Sequence, residues 1–482
     1  MAALTMTTST TTAKVLKALG IFGSVQMITI LCSVVRTKLA ALWIGPVGVG
    51  LITIYNSTME LLSNTAQIGL QQSAVRDLSQ NRDTPHGPET VAVVKKLQWL
   101  TGLAGMGAAI LFSPLISLWA FGDYSHWWAF AVLSVMVLSQ SLCNARLSIM
   151  RAYERFRDLA STTTWTAVAV FVLAVPMFCV FRLDGVVPLL AGGAIMAYAI
   201  TYFYRDRDIP AVRVSMRQAW RKGRGMLSLG FYMTVSTFVT LLASNVFVIY
   251  LNRCYSGDTV GIYQAGFTLV NTYVGMIFTS IAMEYYPRLS ASAQHLRRME
   301  VIVSHEIKIA LWVLMPVVVA FVCMSHLILN ILYSSKFDAA LPFVFIGATG
   351  VFFRAASWCI AYAILARGDG RLYILTETAS AVTYLALYIP LYSAWGFTGL
   401  GIGYVAWYAV YFGIVYAVYR FHYGLRLRPG IVRLLLLCCL TGALTLTGYC
   451  LLGPWWTLLI LLPPTLLALP QGLRRRGSIR KE

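Results

Sequence analysis

A few charged residues lie inside long apolar stretches of this sequence, where solubility does not explain them. Arg36 and Lys38 interrupt an apolar run near the N-terminus, and Glu60 lies in the next run. Arg354 and Glu377 occupy two similar runs in the second half of the chain. Arginine donates two hydrogen bonds in one plane and lysine adds a compact charge, so together they suit phosphate. A carboxylate in such surroundings titrates or binds a cation. The pattern predicts an anion site with carboxylates available for a coupling ion.

The composition indicates that a membrane surrounds these charges. Of 482 residues, 58% are hydrophobic and only 12% are charged, whereas soluble domains have about 25% charged residues. Apolar windows of about 20 residues recur along the chain, which is the length that crosses a bilayer as a helix. The net charge of +20 would suggest nucleic acid for a soluble protein. Because the basic residues lie between the apolar runs, we expect no nucleic-acid partner and predict an all-α polytopic membrane protein.

The apolar runs predict about fourteen transmembrane helices. Their approximate ranges are 17–43, 47–69, 93–113, 128–150, 160–181, 185–204, 226–252, 260–283, 306–331, 341–366, 372–392, 396–419, 431–452 and 455–470. The loops on one side hold most of the 38 lysines and arginines, whereas the other side holds only Arg182, Arg253 and Lys336. The positive-inside rule then places both termini in the cytoplasm. The outer loops are short, so we expect function within the bilayer.

An internal repeat divides the chain into two halves. A shift of 211 residues overlays Val49-Gly50 on Val260-Gly261, Leu78 on Leu289 and Gly185 on Gly396. This predicts two parallel six-helix repeats that form N- and C-lobes around a central cavity, plus two C-terminal helices. The predicted segments are a disordered cytoplasmic tail (1–13), the N-lobe (14–210), a cytoplasmic linker (211–225), the C-lobe (226–425), the last two helices (426–472) and a basic cytoplasmic tail (473–482).

The repeat also tests whether the fold requires the buried charges. At the same shift, Arg36 corresponds to Phe247, Lys38 to Ile249 and Glu60 to Asn271. Residues alike in both halves are most simply packing residues, whereas a charge present in one half alone indicates function. We therefore assign substrate contacts in the cavity to Arg36, Lys38, Glu60, Arg354 and Asn271, and ion coupling to Glu60 and Glu377.

Structural explanations compete with each of these assignments. Lys38 is near enough to the outer surface to extend its ammonium into the headgroup region. Glu60 is placed to form a structural ion pair with Arg36 or Lys38, and Arg354 with Glu377. We expect no catalytic residue, metal, cofactor or disulfide, because neither the six histidines nor the nine cysteines show a suitable spacing. A short acidic motif, Asp206-Arg207-Asp208, is too brief to indicate a glycosyltransferase.

Three stretches resemble a known superfamily. The segment RTKLAALWIGPVGVGL at 36–51, the exit of the second helix through QxxxRDLS, and ILARGDGRLYILTET from Ile364 are similar to the MOP flippases. Within that superfamily the chain most resembles the Wzx-type translocases of O-antigen and other lipid-linked oligosaccharides. In that family a basic residue commonly precedes the Gly-Pro turn, and Lys38 matches it. The resemblance extends over helices one to twelve.

This resemblance implies a flippase of the bacterial inner membrane. It would move undecaprenyl-pyrophosphate-linked oligosaccharide from the cytoplasmic to the periplasmic leaflet by alternating access. An O-antigen polymerase and a chain-length regulator are the implied protein partners, and we expect a monomer. Many Wzx proteins have twelve helices whereas this chain is predicted to have fourteen, as the related lipid II flippases do, which leaves the saccharide class open.

Three other functions compete with this prediction. A MATE-like exporter of cations would share the fold, but cationic substrates require carboxylates, and the membrane-embedded charges here are mainly basic. A major facilitator would share the arrangement of two times six helices. Its Gly-rich basic loop after the second helix is not found in RDLSQNRDTPHGPE. A membrane O-antigen polymerase or glycosyltransferase would need a large outer loop, which the predicted topology lacks.

Overall fold

The computed structural model describes residues 28–67, 69–82, 84–204, 209–210, 212, 214–273, 285, 289, 292 and 295–474. The predicted tail 1–13, nearly all of the tail 473–482, the Asp206-Arg207-Asp208 motif and the second half of the eighth predicted helix lie outside these residues. The chain forms two compact units, Met1–Val260 and Gly261–Glu482. The described residues are largely helical and include no strand, which confirms the all-α class.

The first unit contains nine helices among its described residues. They are α1 (28–43), α2 (Gly45–Gln67), α3 (Leu70–Asn81), α4 (Gly87–Leu111), α5 (Ser113–Phe121), α6 (Trp127–Ala152), α7 (Phe156–Val180), α8 (Val186–Phe203) and α9 (Met216–Cys254). Helix α6 packs against α4 and α8, helix α7 packs against α8, and α9 packs against α2, α3 and α4. A tenth helix, α10 (Gly257–Phe267), crosses the boundary between the units.

The second unit is built around two central helices. After the π-helical segment Thr268–Tyr273 come α11 (Leu296–Leu332), a 3-10 turn (Ser335–Ala340), α12 (Leu341–Ala366), α13 (Gly370–Ala417), a second π-helical segment (Val418–His422), α14 (Pro429–Leu452) and α15 (Pro454–Arg474). Helix α12 packs extensively on α13, and α11 packs on α12, α14 and α15. The two helices beyond the predicted repeat therefore belong to the packed core of this unit.

Local sequence explains where several helices begin and bend. Gly45 has φ +64°, and this left-handed residue ends α1 and starts α2 within one turn. The predicted Gly-Pro turn is thus as short as a chain reversal allows. Gly69, with φ 61°, separates α2 from α3. Ser215 begins α9 with a capping box to Gln218, so the predicted linker 211–225 is mostly helical and continues into the seventh predicted span.

The helices are suited to a multi-pass membrane protein. Within the described residues, eight helices are long and apolar enough to cross a bilayer, or nine if the pair α4 and α5, bent by 65°, is counted as one. One of the eight, Gly370–His422, breaks at Gly396 (φ 56°, ψ −135°) and so contains two predicted spans. Wherever the structure describes them, the predicted spans lie on helices. The total of fourteen crossings stays a prediction.

The internal repeat is visible in the structure, with one change of register. Helices α6 and α12 each have 26 residues and start 214 residues apart, and α7 and α8 match the two parts of α13 at the same shift. Left-handed residues recur with it, since Glu154 pairs with Gly368 and Arg182 with Gly396. The predicted pairing of Gly185 with Gly396 is therefore wrong by three residues, and the true counterpart of Gly185 is Gly399.

Close backbone packing supports this corrected pairing. A Cβ on Gly185 would overlap the carbonyl oxygen of Met177, and a Cβ on Gly399 would overlap that of Leu391. Each carbonyl lies eight residues before its glycine. The shift of 211 residues still matches Val49 with Val260 and Leu78 with Leu289, and all four are buried. Three additional residues therefore enter the second half between its eighth and tenth helices.

Candidate functional site

Arg36 lies in a cavity within the first unit. The cavity has a volume of about 340 Å³ and is bounded by α1, α6, α7 and α8. Its hydroxyl-bearing lining residues are Thr29, Ser33, Thr162, Thr163, Thr166 and Thr201. Two thiols, Cys32 and Cys143, and the apolar side chains of Leu147, Ala167 and Val170 complete the lining. Among these lining residues Arg36 is the single charged group, so the cavity carries a positive charge.

The guanidinium of Arg36 is available to a ligand. The side chain is half-buried, and within the described part of the chain it forms no hydrogen bond and no ion pair. A cation at this depth in a membrane protein ordinarily has a partner or faces water, because an isolated charge in hydrocarbon costs several kcal/mol. A ligand that presents two oxygens in one plane would satisfy its donors.

The threonines give the cavity a second polar character. Thr162 Oγ1 donates to Asp158 O at 2.6 Å, Thr163 Oγ1 donates to Ala160 O at 2.8 Å, and Thr201 Oγ1 donates to Tyr198 O at 2.7 Å. Because each hydroxyl hydrogen is used by its own helix, the oxygen lone pairs remain as acceptors. The cavity therefore offers a cation for an anion and acceptor oxygens for a ligand's hydroxyl or N–H groups.

The other two predicted charges of the first unit are placed differently. Lys38 is half-buried and is not a lining residue of this cavity, as expected two residues along a helix from Arg36. Glu60 is exposed on α2, and in the described residues its carboxylate forms no ion pair. The structural ion pair of Glu60 with Arg36 or Lys38 is therefore not observed. The roles predicted for Lys38 and Glu60 stay predictions.

In the second unit, the structure brings Arg354 and Asn271 together. Arg354 Nη1 donates to the backbone oxygen of Asn271 at 3.1 Å and to Tyr404 Oη at 3.3 Å. Its Cζ lies 5.8 Å from the ring centroid of Tyr408, within the range of a cation–π contact. Asn271 lies in the π-helical segment Thr268–Tyr273. These contacts fit a structural cation that satisfies a carbonyl of an irregular helix, and the predicted role in substrate binding stays a prediction.

Glu377 has a separate partner. Its Oε1 accepts a hydrogen bond from Tyr411 Oη at 2.5 Å, which joins the two parts of α13 on either side of Gly396. Arg354 and Glu377 thus have different hydrogen-bond partners, so the alternative of an ion pair between them is not supported. A half-buried carboxylate held by one phenol suits the predicted role in ion coupling.

A polar cluster surrounds the loop between α5 and α6. Tyr55 Oη lies 2.8 Å from His126 Nδ1, and the imidazole stacks on Phe121 with centroids 3.9 Å apart. Burial lowers the pKa of His126, and the charge of Asp123 opposes this effect. Hydrogen bonds from Ser125 lower the pKa of Asp123 itself. The cluster ties α2 to the start of α6 and was not predicted from the sequence.

Several lining residues of the cavity were also missed. The run Ser161-Thr162-Thr163-Thr164 begins the fifth predicted span, and its unusual polarity for a membrane helix was the available signal. Thr201 and Cys143 carried no such signal, since single polar residues in apolar helices most often serve helix packing. Only the packing of α1, α6, α7 and α8 shows that these residues share one cavity.

Known proteins agree with this architecture. The Lipid III flippase of Escherichia coli (strain K12) is 24% identical over 400 residues, covering 79% of this chain and 92% of that protein. The structure of the lipid II flippase MurJ in an inward closed conformation matches with a TM-score of 0.69 at 13% identity, covering 94% of this chain and 99% of that one.

An inward-facing multidrug resistance MATE transporter of the MOP superfamily matches with a TM-score of 0.67 at 14% identity, covering 86% of this chain and 99% of that one. At these identities the two structures show a shared fold. The family model described as polysaccharide biosynthesis protein matches residues 39–342, more than half of the chain. The chain therefore belongs to the polysaccharide biosynthesis protein family.

Proposed function

We propose that this chain is a flippase for lipid-linked oligosaccharides, in which the cavity of the first unit receives the phosphate-bearing head of the substrate. The observation that carries this proposal is Arg36, a guanidinium with no described partner in a cavity lined by hydroxyls. Phosphate oxygens would accept from Arg36, and sugar hydroxyls would donate to the threonine oxygens. The Lipid III flippase of Escherichia coli supports the substrate class.

The finer assignments are part of the same proposal. The carrier lipid is undecaprenyl pyrophosphate, the membrane is the bacterial inner membrane, and both termini are cytoplasmic. The lobes at 14–210 and 226–425 alternate access to the two leaflets, and the lipid tail stays in the bilayer. The chain acts as a monomeric transporter rather than an enzyme. A polymerase and a chain-length regulator would use the product on the outer side.

A MATE-like exporter of cations is the second candidate, because the fold is shared. The charge of the cavity opposes it. A cationic substrate would require a carboxylate, and the described lining residues include none. The same cavity charge is what a flippase of pyrophosphate-linked lipids requires.

Reconstitution tests the proposal directly. Purified protein in liposomes that contain a fluorescent undecaprenyl-pyrophosphate oligosaccharide should expose the sugar to a glycosidase added to the opposite side. We expect Arg36→Gln to slow this exposure about tenfold or more, since a charge-assisted hydrogen bond contributes about 1.5–3 kcal/mol. Arg36→Lys should retain part of the rate.

Arg182→Gln serves as the matched control, because Arg182 is an exposed arginine of the same unit outside the cavity. Normal flipping by Arg36→Gln would contradict the assignment of the cavity. Export of ethidium by the wild type without flipping of the lipid would favour the MATE-like alternative.

A further inference from the structure

A second cation lies against the wall of the Arg36 cavity. Arg146 is on α6 between the lining residues Cys143 and Leu147, and spacings of three and four residues place side chains on one helix face. Arg146 Nη1 lies 3.5 Å from the backbone oxygen of Thr201, another lining residue. Counted as a loop charge in the sequence, Arg146 therefore belongs to the rim of the cavity.

The guanidinium of Arg146 retains unused donors. The contact with Thr201 O is at the long limit for a hydrogen bond and uses one of five N–H groups. In the described part of the chain Arg146 forms no ion pair. Its Cζ lies 4.8 Å from the centroid of the Tyr202 ring, so the ring holds the guanidinium by one face and leaves its edge for a planar pair of acceptor oxygens.

The aromatic neighbour is itself accessible. Tyr202 is 43% exposed, and its ring centroid is 6.3 Å from that of Tyr198 on the same helix. An arginine beside two tyrosines presents a cation together with an apolar ring face. Phosphate binds the first group, and the C–H face of a pyranose ring packs against the second.

The position along the helices separates this pair from Arg36. Arg146 lies in the last two turns of α6, which ends at Ala152, and Tyr202 lies at the end of α8, which ends at Phe203. In the proposed orientation both helix ends face the cytoplasm, the side from which the substrate arrives. Arg36 lines the interior of the same cavity from α1.

We propose that Arg146 and Tyr202 form a loading site on the rim of the cavity, which binds the pyrophosphate of the substrate before Arg36 does. This inference rests on the proposed function for the identity of the substrate. Arg146 binds the two phosphate oxygens through its free edge, and Tyr202 keeps the guanidinium oriented. Transfer to Arg36 then moves the anion from the rim into the cavity without an uncompensated charge.

Binding of farnesyl pyrophosphate to the full-length protein in detergent tests the loading site, with farnesol as the uncharged control. Arg36→Gln should still bind farnesyl pyrophosphate, because the rim site remains. The double variant Arg36→Gln/Arg146→Gln should bind about tenfold or more weakly than Arg36→Gln. Arg146→Lys should rescue part of the loss. Arg221→Gln removes an exposed arginine of α9 that does not line the cavity and should change nothing.

Two results would overturn the loading site. One is equal affinity of Arg36→Gln and the double variant while both keep the melting temperature of the wild type. The other is displacement of farnesyl pyrophosphate by phosphatidylglycerol at similar concentrations, since the site would then hold bulk phospholipid. Loss of binding in the double variant together with absence of oligosaccharide flipping by the wild type would leave the rim site in place and reject the proposed function instead.

Kinetics of flipping separate binding from a structural role. If Arg146 only caps the end of α8, Arg146→Gln should lower the melting temperature and leave the substrate concentration for half-maximal rate unchanged. The loading site requires the reverse. The half-saturating concentration should rise about tenfold, with the maximal rate and the melting temperature nearly constant.

Discussion

Arg354 Nη1 donates a hydrogen bond to the backbone oxygen of Asn271 at 3.1 Å. The acceptor lies in a π-helical segment, Thr268–Tyr273, where the regular pairing of backbone groups changes. Arg354 also donates to Tyr404. Arg36, in contrast, forms no hydrogen bond within the described residues. Two arginines that looked equivalent in the sequence thus differ in whether the fold uses their donors.

This difference predicts opposite effects on stability. Arg354→Met should lower the melting temperature of the purified protein, because the loss of the donor leaves buried acceptors unsatisfied at about 1–3 kcal/mol each. Arg36→Met should leave the melting temperature within about 1 °C of the wild type, since no described hydrogen bond is lost. Thermal unfolding in detergent measures both, and an equal loss for the two variants would contradict the structural role of Arg354.

The hydrogen bond between Tyr411 and Glu377 predicts a coupling defect that can be separated from misfolding. Glu377→Gln keeps an acceptor oxygen for Tyr411 Oη but removes the titratable charge. We expect it to keep the wild-type melting temperature and to lose the dependence of flipping on an imposed proton or sodium gradient. Tyr411→Phe should destabilise the fold by about 1–3 kcal/mol, because the carboxylate loses its donor. Flipping by Glu377→Gln that still responds to both gradients would exclude Glu377 from coupling.

His126 predicts a loss of stability in mild acid. Burial lowers the pKa of its imidazole below the usual 6.5, so the folded state binds fewer protons than the unfolded state once the pH falls below that value. The contribution is complete above pH 6.5 and is lost as the pH falls towards the folded pKa. Protonation of Nδ1 would also remove an acceptor from Tyr55.

Melting temperatures at about pH 7.5 and pH 5.5 measure this effect, and 1 kcal/mol corresponds to roughly 2–4 °C in a chain of 150–250 residues. His126→Gln should flatten the profile. Asp123→Asn should steepen it, because the charge of Asp123 raises the pKa of His126. A wild-type profile as flat as that of His126→Gln would show that the imidazole does not titrate in this range.

The corrected repeat predicts which glycines tolerate a methyl group. Gly399→Ala should destabilise the second unit by about 1–3 kcal/mol, because the new Cβ would overlap the carbonyl oxygen of Leu391. Gly185→Ala should behave in the same way in the first unit. Gly413→Ala, where no atom lies within 4 Å of the added carbon, should stabilise its helix by about 0.4–1 kcal/mol. Tolerance of Ala at Gly399 would reject its pairing with Gly185.

The positions of most helices follow from the sequence, because a bilayer permits few alternatives. The tenth predicted span, 341–366, coincides with α12, and the predicted turn at Gly45 is observed. Helix α5 and the early start of α9 at Met216 were not predicted. Both lie where apolar character falls, and there capping and packing on neighbouring helices determine the helix ends rather than hydropathy.

The candidate site divides along the same line. The sequence alone determined that Arg36 is a charge within a membrane helix and that its counterpart, Phe247, is apolar. Only the tertiary structure decided that Arg36 faces Thr162 and Thr201 across a cavity, that Arg354 satisfies Asn271, and that Arg146 belongs to the cavity rather than to a loop. Hydropathy reports how far a residue lies from water along the chain. Which residues meet depends on the rotation and tilt of packed helices, which neighbouring side chains set.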